Sequence, residues 1–144
     1  MDNNISVVYF WKYMHYIICH NRDLSIEIHT HDGNNFYDAD NKKIYISRYN
    51  LKSVVLLHEF CHYLLVTKYN YHILSDNIRA EYLCEFFAYY TLGYNDKRSH
   101  KYASTYVHKY RKRYKETDIS QQKMVFIKEH LRIEFDKIKK AQIW

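Results

Sequence analysis

The sequence predicts an α+β fold, mostly helical, with a small antiparallel N-terminal sheet packed on two neighbouring helices. Three observations carry this reading. The 144 residues include two glycines and no proline, so turn-formers are scarce and long helices with short polar connections are expected. Between Ile26 and Ser47 short segments alternate apolar and polar residues, the period of half-buried strands. From Asn50 onward apolar residues recur at helical spacing instead. The length suits one domain with one core, spanning 1–144.

Taken in order, Val7 to Cys19 reads as a helix that is apolar on most sides and so expected to be largely buried. Ile26–Thr30, Asn35–Tyr37 and Lys43–Ser47 read as strands of a meander, with turns at Asp32-Gly33-Asn34-Asn35 and Asp38-Ala39-Asp40-Asn41. Asn50 is the expected N-cap of a helix reaching about Lys68. Ser75 or Asp76 is expected to cap the next helix, which ends at Leu92 with Gly93 in the left-handed position after it. A further helix runs from Asp96 to about Glu116. Asp118, with Gln121 three residues on, resembles a capping box for the last helix. There Met124, Ile127, Leu131, Phe135 and Ile138 form a core-facing stripe.

Bulk chemistry narrows the class. Three cysteines, Cys19, Cys61 and Cys84, show no paired metal-type spacing and leave one odd, which suits a reduced, cytoplasmic setting. The start Met1-Asp2-Asn3-Asn4 has no basic run, and the apolar stretch Ile5 to Cys19 is too short to span a bilayer and is interrupted by Lys12 and His15. Neither export nor a membrane partner is expected. The net charge of +6 is concentrated between Lys97 and Lys115, where eight lysines and arginines occur without an acidic residue. Tyr102, Tyr106, Tyr110 and Tyr114 recur there every four residues. Such a helix could bind nucleic acid through phosphate contacts and base stacking. The favoured reading is that the tyrosines pack on the core and the cations are solvated.

The chemistry is carried by His58-Glu59-Phe60-Cys61-His62. Two histidines four apart on a helix stand on one face, where a single zinc ion could accept both imidazoles. Glu59 between them is placed to take a proton from water on the metal. The flanking residues, Val54 to Leu57 and Tyr63 to Val66, are mostly apolar, so this helix is expected to be buried. Unpartnered, its polar groups would each cost about 1–3 kcal/mol, and a metal would satisfy them together. A catalytic site needs a third protein ligand and an open position. Glu81, on the following helix, is the best candidate. Glu85, one turn further on, would accept the free ring N–H of a ligand histidine. A surface role for either glutamate stays open, as do His72 or the pair His29 and His31 as ligands. Cys61 or Cys84 could supply a fourth ligand and close the site, making it structural. Lys68 stands where a metzincin would carry its third histidine.

Leu56 to Leu65, followed nineteen residues after His62 by Glu81 and then Phe87-Ala88, resembles the ImmA/IrrE-type metallopeptidases, a group of small gluzincins. The acidic turn and Ile-x-Ile strand at Asp38 to Ser47 are similar to that family as well. The likeness covers about residues 26–92, leaving 96–144 as a basic helical part. It implies a zincin-like fold, zinc (Zn2+) held by His58, His62 and Glu81, and Glu59 as general base. It also implies a protein or peptide substrate, often a transcriptional regulator. Glu85 stands where the family often has asparagine, Cys61 where glycine is usual, and Thr91-Leu92-Gly93 where Leu-Met-Pro often follows. Cysteine in place of that glycine is faintly similar to SprT-type proteases, whose third-histidine segment is not evident. An extended substrate is expected to pair with the strand Ile44 to Ser47. The alternative to an enzyme is a metal-stabilised or basic nucleic-acid- or protein-binding module without catalysis.

Overall fold

The computed structural model describes residues 3–30, 34–69, 77–113 and 120–141. Five helices and three strands follow in the order α1 (Asn3–His20), β1 (Ser25–His29), β2 (Phe36–Asp38), β3 (Lys43–Ser47), a 3-10 turn (Arg48–Asn50), α2 (Ser53–Tyr69), α3 (Ile78–Thr91), α4 (Asp96–Tyr110), a second 3-10 turn (Arg111–Arg113) and α5 (Gln121–Lys140). The α+β class expected from the sequence holds. Among the described residues no helix is long and apolar enough to cross a membrane.

The sheet differs from the expected antiparallel meander. Its order is β1-β3-β2, with β3 parallel to β1 and antiparallel to β2. Local turn signals show where strands stop but not which strands pair. Here β3 takes the centre because its side chains are the most deeply buried: Ile44 and Ile46 are fully enclosed, while β1 and β2 are only partly covered. Just before β2, Asn35 Oδ1 accepts the Ser47 N–H at the end of β3, at 2.8 Å. The β2–β3 turn is built as expected, with Asp38 accepting the N–H groups of Asp40 and Asn41 at 3.1 and 3.3 Å. Since β3 has neighbours on both sides, it cannot take up a substrate as an added strand. Any such edge belongs to β1 or β2.

Helix α1 is also less buried than its composition suggests. It packs mainly on α2, so one stripe, Phe10, Tyr13, Tyr16 and Ile17, is enclosed, while Val7, Val8, Trp11 and Ile18 are exposed. Helix starts differ from expectation too. Asn50 ends the 3-10 turn and α2 begins at Ser53. Asn77 caps α3 through the N–H groups of Arg79 and Ala80, and Ser120 caps α5 through that of Lys123. Ser75, Asp76 and Asp118 lie outside the described residues.

Helix α3 is the hub. It packs against α2, α4 and α5, and most of its residues are buried. Phe87 meets Phe60 of α2 at 6.3 Å between ring centroids, and Tyr90 meets Phe135 of α5 at 4.8 Å. The stripe on α5 faces this core as expected, with Ile127, Leu131 and Ile138 enclosed. An ion pair between Lys68 and Glu134 ties α2 to α5.

The end of α3 matches its sequence signal. Gly93 has φ +103°, and the bonds Gly93 N–H to Tyr90 carbonyl and Tyr94 N–H to Tyr89 carbonyl, both 3.1 Å, close the helix in the Schellman manner. Space is not the constraint, because nothing lies within 4 Å of a Cβ added there. Replacing Gly93 with alanine should therefore destabilise through the backbone alone, by about 1–2 kcal/mol. Chemical unfolding of Gly93→Ala should show a lower midpoint with an unchanged slope.

Candidate metal centre

The centre is built where α2 crosses α3. Side chains four apart on each helix share a face, so His58 and His62 on one helix meet Glu81 and Glu85 on the other. His58 contacts both glutamates and His62 contacts Glu81, which makes the two helices antiparallel. His58 Nε2 lies 2.8 Å from Glu81 Oε2, and His62 Nε2 lies 3.1 Å from Glu81 Oε1. The two Nε2 atoms are 3.2 Å apart. On its other side the His58 ring bonds Glu85 Oε1 through Nδ1 at 2.7 Å. His58, Glu59, Glu81 and Glu85 are all buried.

Electrostatics follow from that burial. With both ring nitrogens against carboxylates, His58 donates twice, which only the imidazolium can do. Burial works against that charge, yet the bonds to Glu81 and Glu85 outweigh it and hold the His58 pKa well above its ordinary value. Burial likewise pushes the Glu81 carboxyl up, but the His58 and His62 bonds dominate and bring it down to about 2. Glu59 moves the other way: burial raises its pKa, partly offset by the two histidines. Its Oε2 is buried and meets no hydrogen-bond partner among the described residues. An orphaned carboxylate oxygen costs about 1–3 kcal/mol or more, so a proton or a ligand here would be favoured.

Cysteine enters from α3. Cys84, one turn before Ala88 and between the two glutamates, forms with His58 and His62 a group whose donor atoms lie within 4.8 Å of one another and could hold a metal ion. Burial, and then contact with Cys61, pushes the Cys84 thiol well above its ordinary pKa. Cys61 itself is turned to the Leu83 carbonyl, 4.0 Å away. The rival ligands do not converge here: His29 stands on β1, and His31 and His72 lie outside the described residues.

Tyr106 is the addition that spacing alone did not identify. Its ring stands 5.5 Å from that of His58, and the next tyrosine, Tyr110, stacks 4.9 Å beyond it. Tyr102 packs on Tyr89 and Tyr94 at 4.8 and 5.4 Å. The tyrosine stripe of α4 is thus half-buried against the protein, with Lys101, Lys109 and Arg111 to Arg113 exposed. The four-residue recurrence was the available signal that Tyr106 faces inward. Tyr114 lies outside the described residues.

The shifts fix how the metal-free protein responds to pH. The Glu81 carboxyl is held down to about 2 by His58 and His62 when folded, against 4.5 when free, so its contribution is present above pH 4.5 and lost as pH falls towards 2. The contribution of His58 is full below its free value of 6.5 and is lost as pH rises through the higher folded value. Glu59, raised by burial, opposes Glu81 on the acid side. Melting temperatures of metal-stripped protein across pH 3 to 9 should therefore fall towards alkaline pH, and recover there when metal is added. No family model matches the chain, and no curated protein or solved structure is significantly similar to it.

Proposed function

We propose that this chain is a zinc-dependent metallopeptidase of the ImmA/IrrE-like, gluzincin kind, acting on an intracellular protein substrate. The observation that carries the reading is the convergence of His58 Nε2, His62 Nε2 and the Glu81 carboxylate, 2.8 to 3.2 Å apart, beside an unpartnered Glu59 oxygen. Tetrahedral zinc, bound about 2.0–2.1 Å from nitrogen and oxygen ligands, requires donors roughly 3.3 Å apart, which these residues nearly meet. His58, His62 and Glu81 would hold the ion. A bound ion would take the place of the proton on His58 Nε2, and Nδ1–H would remain donated to Glu85.

When bound, zinc would supply an acidified water and a polarised scissile carbonyl. Glu59 takes the proton of the attacking water and returns it to the leaving amine nitrogen. Its place between the two histidines on α2, with one buried oxygen unpaired among the described residues, suits a carboxylate that receives and then releases a proton. Glu85 holds the His58 ring in one tautomer and orientation. Tyr106, on the ring side of His58, is the proposed donor to the oxygen on which negative charge develops. The substrate class, a protein and by family likeness a transcriptional regulator, rests on that likeness alone.

A second reading has one observation behind it. With Cys84 in the same cluster as the histidines, a fourth protein ligand would close the centre and make it structural. Elemental analysis and cleavage assays separate the two. Glu59→Gln should keep a full complement of zinc while losing at least about 100-fold in cleavage of cellular proteins, scored as new N-termini in a lysate. Glu81→Ala should lose both metal and activity. Cys84→Ala should keep both; loss of zinc in that variant, with no cleavage by the wild type, would establish the structural reading instead.

Tyr106→Phe removes only a hydroxyl. It should lower kcat by about 10- to 100-fold with KM and zinc content nearly unchanged. A wild-type kcat would remove Tyr106 from the reaction.

A further inference from the structure

Away from the histidines, a cavity of about 1080 Å3 opens where α1, the Arg48–Asn50 turn, the first turn of α2 and the junction of α3 with α4 meet. Its size is that of small-molecule sites, about 300–1,000 Å3. Arg48, Lys52 and Arg98 line it, and no carboxylate does. Among the described residues none of these three cations has a carboxylate partner. Three cations facing one cavity repel one another unless an anion sits among them.

The start of α2 adds an independent observation. Ser53 lines the cavity at 8% exposure, and its hydroxyl is buried without a hydrogen-bond partner among the described residues. The residue before it is Lys52, whose carbonyl accepts from Val55 and Leu56 at 3.1 Å but whose side chain has no acceptor to offer the first N–H groups of the helix. By contrast Asn77, Asn95 and Ser120 cap α3, α4 and α5 with side-chain oxygens. A 17-residue helix thus points its uncapped positive end, an orphan hydroxyl and a lysine at the same space. Two flat surfaces flank it: the Arg48 guanidinium lies 4.8 Å over the Tyr49 ring and the Arg98 guanidinium 5.1 Å over the Tyr94 ring.

We propose that this cavity binds an organic phosphate bearing a planar ring, the nucleotide class. The phosphate sits against the Ser53 hydroxyl, the α2 N-terminus and Lys52, with Arg48 and Arg98 in reach. The ring lies against the arginine–tyrosine surfaces. A phosphate fits better than a carboxylate because it brings nearly two charges and three acceptor oxygens to three cations and a helix end. The site is separate from the metal centre and does not depend on the peptidase reading.

Calorimetric titration of the full chain with ADP, adenosine and inorganic phosphate tests this. ADP should bind, with an affinity that falls as salt is added. Inorganic phosphate should compete with it, and adenosine should bind at least about tenfold more weakly. Lys52→Glu and Arg98→Glu, both at exposed positions, should each weaken ADP by about tenfold or more without changing metal content. Ser53→Ala should weaken ADP severalfold while leaving the melting temperature equal or higher, since it removes an unpaired hydroxyl. Absence of ADP binding at about 1 mM, adenosine binding as tightly as ADP, or ADP affinity unchanged in all three variants would overturn the proposal.

Discussion

Everything about the centre depends on one set of contacts, the buried bonds between the His58 ring and the carboxylates of Glu81 and Glu85. Two acidic side chains and an imidazole have been taken out of water at a helix crossing. Each alone would be costly there, and together they are tolerable only because the ring is held between them. The same contacts set the antiparallel register of α2 on α3, orient the ring, and bring Glu81 within reach of His62. Structure and chemistry are not separable here: the pairing that makes the helix crossing tolerable is also the pairing a metal would exploit.

Much of this centre was legible in the sequence because it obeys a period. His58 with His62, and Glu81 with Glu85, are each one turn apart, and two adjacent helices offer few ways to bring such faces together. The same logic revealed the α5 stripe and the Gly93 terminus. What was not legible depends on contacts between segments rather than within them. The order of the strands could not be read from turns, since β3 is central only by virtue of burying Ile44 and Ile46. The exposure of Val7, Val8 and Trp11 depends on α1 having a partner on one side. Tyr106 reaches His58 only because α4 folds back along α3. Cap residues were displaced by a few positions, as Asn77 and Ser120 do what nearby polar residues could equally have done.

Charge is distributed with some division of labour. Three carboxylates, Glu59, Glu81 and Glu85, are enclosed between α2 and α3, whereas cations cluster outside, on α4, on the Arg111–Arg113 turn, and around the cavity at the head of α2. A net charge of +6 draws acidic molecules by long-range attraction, an effect weakened by salt. The tyrosines of α4 lie half-buried beneath these cations, Tyr102 against Tyr89 and Tyr106 beside His58.

The ion pair between Lys68 and Glu134 has a wider meaning. It joins the far end of the histidine-bearing helix to a C-terminal helix that contributes no donor to the centre, while Phe135 and Ile127 of that helix shore up the other flank of α3. The two helices that form the centre are therefore not a self-sufficient module. Both donor helices are gripped from behind by a helix that brings no chemistry of its own, so the geometry of the centre is set in part by residues far from it in the sequence.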